Sequence, residues 1–150
     1  MLSSKARYGL KAMAALARRQ GEQHHIPVDE IAEEEHIPVK FLEAILTQLK
    51  KSGLLVSRRG PAGGYLLAQP PSETSLANVI RILDGPFAPT PCSRTRNPVV
   101  CEGCTTLDTC QLRPFMREVR DVMAEVWERR TVQDLIEGYA NVESITHVSM

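Results

Sequence analysis

All four cysteines of this 150-residue chain fall between positions 92 and 110, in CSRTRNPVVCEGCTTLDTC, and none lies elsewhere. Thiols gathered in this way suit a zinc site, a disulfide staple, a thiol redox switch or an iron–sulfur cluster. Cys101 and Cys104 form a C-x2-C pair, and Cys92 with Cys110 can complete a four-thiolate tetrahedron around zinc. A zinc ribbon uses two such knuckles, whereas this chain has one. The N-terminus MLSSKARYGL lacks an apolar secretory core, and no apolar run reaches the roughly 18 residues of a membrane span. The expected location is therefore cytoplasmic, without membrane, where structural disulfides are disfavoured and clustered thiols serve metals or redox chemistry. The spacing also permits an iron–sulfur cluster on a mobile loop. On the residues alone zinc leads and the other chemistries stay open. His24, His25, His36 and His147 have no ligand spacing to the cysteines and read as surface or structural groups.

The loop that carries these thiols must be positioned by what flanks it. Residues 3–19 place Ala6, Leu10, Met13, Ala14 and Ala17 at helical spacing. VDEIAEEEHI, 28–37, reads as a short second helix with Val28, Ile31 and Ala32 inward, and its glutamate run as a solvated face. Pro38 suits the first turn of a third helix, whose buried stripe is Leu42, Ile45, Leu46 and Leu49 and whose terminator is Gly53. Leu54–Val56 and Tyr65–Leu67 flank RRGPAGG and predict a β-hairpin with a basic tip. SLANVIRILDG, 75–85, is a further short helix capped by Ser75. PFAPTPCSRTRNPVV, with four prolines, is loop. A long helix starts near Pro114, with a wide apolar stripe in which Met116, Val119, Met123 and Val126 follow the 3-4-3 spacing of a coiled-coil seam and Trp127 broadens it. TVQDLIEGYA predicts a last short helix, and the chain beyond it a loosely held tail.

The net charge is zero but uneven. Residues 1–69 carry ten Lys/Arg against seven Asp/Glu, and residues 70–150 carry eight against eleven. Three helices followed by a basic hairpin is the order of a winged helix-turn-helix. The second helix of such a turn shows a polar face to base edges and buries the other. VKFLEAILTQLKK has that division. A tip carrying Arg58, Arg59 and Gly60 can follow a phosphate strand or set an arginine in a minor groove. The competing reading is a helical core with a hairpin for protein contacts; the paired arginines and the positive front half favour DNA. No Ser/His/Asp set, paired carboxylates or Gly-Lys-Ser/Thr phosphate loop appears, so an enzyme is not expected.

RYGLKAM, FLEAILTQLKKSGLLVSRRGPAGGYLL and the cysteines before a long helix together resemble the IscR-like iron–sulfur transcription regulators, whose relatives include the NsrR, RirA, RsrR and CymR types. The resemblance spans roughly residues 2–137. It implies a mainly α protein, a winged helix-turn-helix DNA-binding domain with a long C-terminal dimerisation helix. It also implies a homodimer on a pseudo-palindromic double-stranded operator, acting as a repressor. By position, Lys40, Phe41, Glu43 and Ala44 would meet the major groove, and Arg59 the minor groove, with Gly60 and Pro61 shaping the wing beside Arg58. Ser4, Lys5 and Arg7 would approach phosphates. The resemblance moves the cysteines from zinc toward a 2Fe–2S or 4Fe–4S cluster. CTTLDTC matches the family's C-x5-C, which makes Cys92, Cys104 and Cys110 the ligands. Two features depart from the pattern: the gap between Cys92 and Cys104 is long, and Arg113 stands where some relatives place a histidine. The fourth ligand is then Cys101, or a group from the first helix of a partner. The expected segments are the winged domain at 1–70, a connecting helix and loop at 71–90, the cysteine loop at 91–112, the dimerisation helix and C-terminal segment at 113–140, and a tail at 141–150.

Overall fold

The computed structural model describes residues 2–22 and 24–138; the expected tail and His147 lie outside them. Helix α1 (Ser4–Arg18) starts where the Ser3 hydroxyl accepts a hydrogen bond from the Ala6 N–H at 3.0 Å. Its run of alanines buries nearly every side from residue 12 to 17, so neighbours pack close on several faces. Helix α4 (Leu76–Asp84) packs against α1: a Cβ on Gly9 would stand 2.1 Å from Leu83 Cδ1, so the glycine makes room for the Leu83 side chain where it lies. Helix α2 (Val28–Glu35) stops two residues before the predicted end, because His36 turns left-handed at φ 54°. Helix α3 (Val39–Lys51) follows, with Pro38 at its cap rather than inside its first turn. Burying Leu42, Ile45, Leu46 and Leu49 contributes about 1.5–3 kcal/mol apiece, which outweighs leaving Phe41 39% exposed.

Strands β1 (Leu55–Arg58) and β2 (Gly64–Leu67) pair antiparallel in the register Leu55 to Leu67 and Arg58 to Gly64. A third piece of backbone joins this hairpin: Ile26 exchanges hydrogen bonds with Tyr65 at 3.0 and 2.8 Å. Gly64, at φ 145°, lets the two chains approach, since a Cβ there would stand 2.2 Å from the Ile26 carbonyl oxygen. Ser75 caps α4 as expected, accepting from the Asn78 N–H at 3.2 Å. Helix α5 (Arg113–Arg129) is the long helix, and α6 (Val132–Glu137) the last among the described residues, opened by a reciprocal Thr131–Asp134 cap. Val132 is fully buried, and backbone bonds from Leu76 to Arg130 (2.8 Å) and from Val132 to Thr74 (2.9 Å) fasten the end of α5 to the start of α4. Leu76, Val79, Ile80, Leu83 and Val132 thus join the buried cluster formed by α1–α3 and β1. Among the described residues no helix is long and apolar enough to cross a membrane.

Candidate nucleic-acid interface and cysteine loop

The face of α3 that its buried stripe leaves outward carries Lys40, Phe41, Glu43 and Ala44, all exposed. Phe41 is braced from behind: its ring meets Tyr8 of α1 edge-on, with centroids 5.6 Å apart. A groove floored by Thr47, Lys50 and Ser57 runs from α3 to the hairpin tip, where Arg58, Arg59, Gly60 and Pro61 stand in solvent. Gly60, at φ 103°, turns the tip, and its carbonyl accepts from the Gly63 N–H at 2.8 Å. At the start of α1, Ser4 and Arg7 are exposed and Lys5 is half-buried, with Arg7 Nη2 donating to Ser4 Oγ at 3.1 Å. Farther along α1 the cations are already matched: Lys11 pairs with Glu35, and Arg18 with Glu34 and Glu35. Among the described residues, Lys5 and Arg7 at the first turn of α1, Lys40 and Lys50 on α3, and Arg58 and Arg59 at the wing have no acidic partner, so this side of the winged fold keeps positive charge free for an anion.

The cysteine loop begins in a 3-10 turn at Pro91–Ser93, closed by reciprocal Thr90 and Ser93 bonds. Cys92 is buried in it, at 5% exposure. The C-x2-C knuckle is a turn, with the Cys104 N–H donating to the Cys101 carbonyl at 3.0 Å and Gly103 at φ 83°. Cys101 and Cys110 are half-buried and Cys104 exposed. Two of the four thiols are shifted by their surroundings. A hydrogen bond with Thr90, 3.2 Å from Sγ, holds the Cys92 thiol below its ordinary range; Cys101 and the charge of Arg113 act the same way, against the opposing effect of burial. Desolvation pushes the Cys104 thiol up, followed by the proximity of Cys110, Cys101 and Cys92, as expected when several groups that ionise to the same charge share a site. Among the described residues, no three histidine, cysteine or acidic side chains stand in an arrangement that holds a metal ion. The chemistry of the donor set, four cysteine sulfurs on one loop, nonetheless suits a thiolate-bound metal or cluster.

Two arginines anchor this loop: the sequence marked Arg113 only as a residue standing where some relatives place a histidine, and did not single out Arg120. Arg113 Nε donates to the Cys92 carbonyl at 3.0 Å and its Nη1 to the Leu107 carbonyl at 3.4 Å, so it ties both ends of the loop to α5. Arg120, one heptad on and nine-tenths buried, donates to the Ser93 carbonyl at 2.6 Å and is balanced by Asp121. Their spacing of seven, which sets both on the same side of α5, was the available signal. The same spacing divides α5. Arg113, Arg120, Met123 and Trp127 turn toward the chain's own body; Trp127 packs against the core, and Met123 helps wall a cavity beside Leu2 and Ile80. Leu112, Phe115, Val119 and Val122 face solvent, Phe115 at 62% exposure, while Met116 and Val126 are half-buried at the margin. Of the residues expected at a dimer seam, Val119 is on the open face and Trp127 lies against its own subunit.

A family model described as an iron-dependent transcriptional regulator, Rrf2, matches residues 2–138. The rrf2-like HTH-type transcriptional regulator of Rhodobacter capsulatus is 33% identical over 138 residues, covering 91% of this chain and 92% of its own. Among solved structures, CymR, the global cysteine regulator of B. subtilis, superposes with a TM-score of 0.71 at 30% identity, covering 91% of this chain and 96% of its own. IscR of T. potens superposes equally well, at 0.71 and 26% identity, covering 100% of this chain and 93% of its own. With a winged helix-turn-helix built as described and a family match across nearly its whole length, the chain belongs to the Rrf2 family of HTH transcriptional regulators.

Proposed function

We propose that this protein is a homodimeric repressor that binds a pseudo-palindromic operator and whose affinity is switched by an iron–sulfur cluster on the cysteine loop. The observation that carries the DNA reading is the exposed α3 face together with unpaired positive charge at the wing and at the start of α1. Lys40, Phe41, Glu43 and Ala44 then meet base edges, Arg59 the minor groove, and Ser4, Lys5, Arg7 and Arg58 the phosphates. The open α5 face at Phe115, Val119 and Val122 is the surface on which a second copy docks, because apolar side chains this exposed on a long helix are otherwise left in water.

Cys92, Cys104 and Cys110 would hold the cluster, with Cys101 as fourth ligand, since Arg113 is committed to the loop's carbonyls and a guanidinium has no lone pair to give. When bound, such a cluster supplies a tie between the ends of the loop that oxidants, nitric oxide or iron supply can break. The chain's own part is positional: Arg113 and Arg120 couple the loop to α5, so a change of loop shape is felt by the helix that sets the spacing of two recognition helices. A second reading, a zinc- or thiol-dependent regulator, is favoured by one observation: the buried Cys92 thiol is hydrogen-bonded to Thr90 and held low. Anaerobic purification with absorption spectroscopy and iron, sulfide and zinc analysis separates the two. Iron with acid-labile sulfide, lost on Cys104→Ser or Cys110→Ser, is the expected result. About one zinc per chain and no sulfide overturns the cluster.

A further inference from the structure

One polar contact links the cysteine loop's surroundings to the end of α1 that faces DNA. Asp84, the last residue of α4, accepts two hydrogen bonds from Ser3: from the backbone N–H to Oδ2 at 3.0 Å, and from the hydroxyl to Oδ1. The same hydroxyl accepts from the Ala6 N–H and so caps α1. Carboxylate, cap residue and helix therefore form one chain of hydrogen bonds, and a negative charge at a helix N-terminus is favoured by the helix dipole. Ser4, Lys5 and Arg7 follow immediately.

On the other side of the contact, a cavity of about 380 Å³ is walled by Leu2, Asp84, Pro91, Arg94 and Met123. Pro91 opens the turn that holds Cys92. Met123 lies on α5 three residues beyond Arg120, the side chain that grips Ser93. Loop, α5, the end of α4 and the start of α1 thus line one cavity, with Ser3 and Asp84 in its wall. The contact is exposed, and exposed charged contacts contribute little stability, in the range of about 0–1 kcal/mol. Its consequence is orientation rather than strength.

We propose that Asp84 is a positioning residue that transmits the state of the cysteine loop to the phosphate-contacting start of α1 through Ser3. This rests on the DNA-binding role given above. It does not depend on which metal or thiol chemistry the loop carries.

The test is a double-variant cycle on operator affinity, using a duplex that the wild-type protein enriches from a random pool. The loop is perturbed by Cys92→Ser. The relay is cut in two ways: by Asp84→Ala, and by Ser3→Asp, which keeps a capping side chain on α1 while placing two carboxylates against each other. Sites without shared contacts give independent effects. The expected result is that Cys92→Ser changes the dissociation constant about fivefold or more in the wild-type background, within the usual range of site coupling. In both relay variants the same change falls below about twofold. Equal changes in all three backgrounds overturn the relay, as does no change in the wild type. Failure of the wild type to enrich any duplex overturns the DNA-binding role itself, an outcome distinct from either.

Discussion

Arg113 and Arg59 are both arginines at the protein's edge, yet their surroundings assign them opposite work. Arg113 spends its donors inward, on the carbonyls of Cys92 and Leu107. Its removal leaves two loop carbonyls without a protein partner while α5 keeps its core contacts. Arg113→Ala is therefore expected to speed limited proteolysis between residues 94 and 109 in the metal-free protein, with an unchanged far-UV circular dichroism spectrum. Arg59 stands in solvent at the wing tip, where its donors face outward. Arg59→Ala is expected to weaken operator binding by about tenfold, within the 1–3 kcal/mol of a minor-groove or base-edge contact; a gel shift at fixed salt measures it, and wild-type affinity would remove Arg59 from the interface. The sequence separated these two residues only partly. A basic hairpin tip is legible because glycines and arginines cluster at the turn. The fate of Arg113 was not, because its acceptors are backbone carbonyls, and those carry no mark in the sequence.

Elements were legible in proportion to their length and periodicity. α1, α3 and α4 follow from apolar spacing and from caps such as Ser75. The pairing of Ile26 with Tyr65 left no signal, since a single bridge has no period to read. α5 shows a subtler limit. Its apolar stripe is wide enough to hold two 3-4-3 rows, Met116–Val119–Met123–Val126 and Leu112–Phe115–Val119–Val122, and periodicity cannot tell which row turns outward. The structure decides by burying Arg120 and packing Trp127 on the core, which leaves the second row in water. Two expectations belong at this scale. Gly9→Ala forces Leu83 from its place in the core and is expected to destabilise by about 1–3 kcal/mol, read from urea unfolding, with partial recovery when Leu83→Ala is added. Phe115→Glu, on the open row, is expected to yield a monomer in light scattering while the unfolding midpoint of the winged fold stays near that of wild type measured as monomer.

At the scale of the molecule, the long helix is held differently at its two ends. Its C-terminal end is fixed to the frame by the backbone bonds at Leu76 and Val132 and by the Arg81–Glu128 pair. Its N-terminal end is held through the cysteine loop and the side chains of Arg113 and Arg120. This makes α5 a lever with its fulcrum at Arg130. At about 1.5 Å per residue, a helix of this length reaches roughly 25 Å, and a pivot of about 5° moves its far end by about 2 Å. In the proposed pair, two such levers lie back to back. On the proposed switch, a loop that tightens or slackens by the width of a hydrogen bond would reach the two reading heads as a change in their span, and a duplex with fixed groove spacing would accept one span and refuse another.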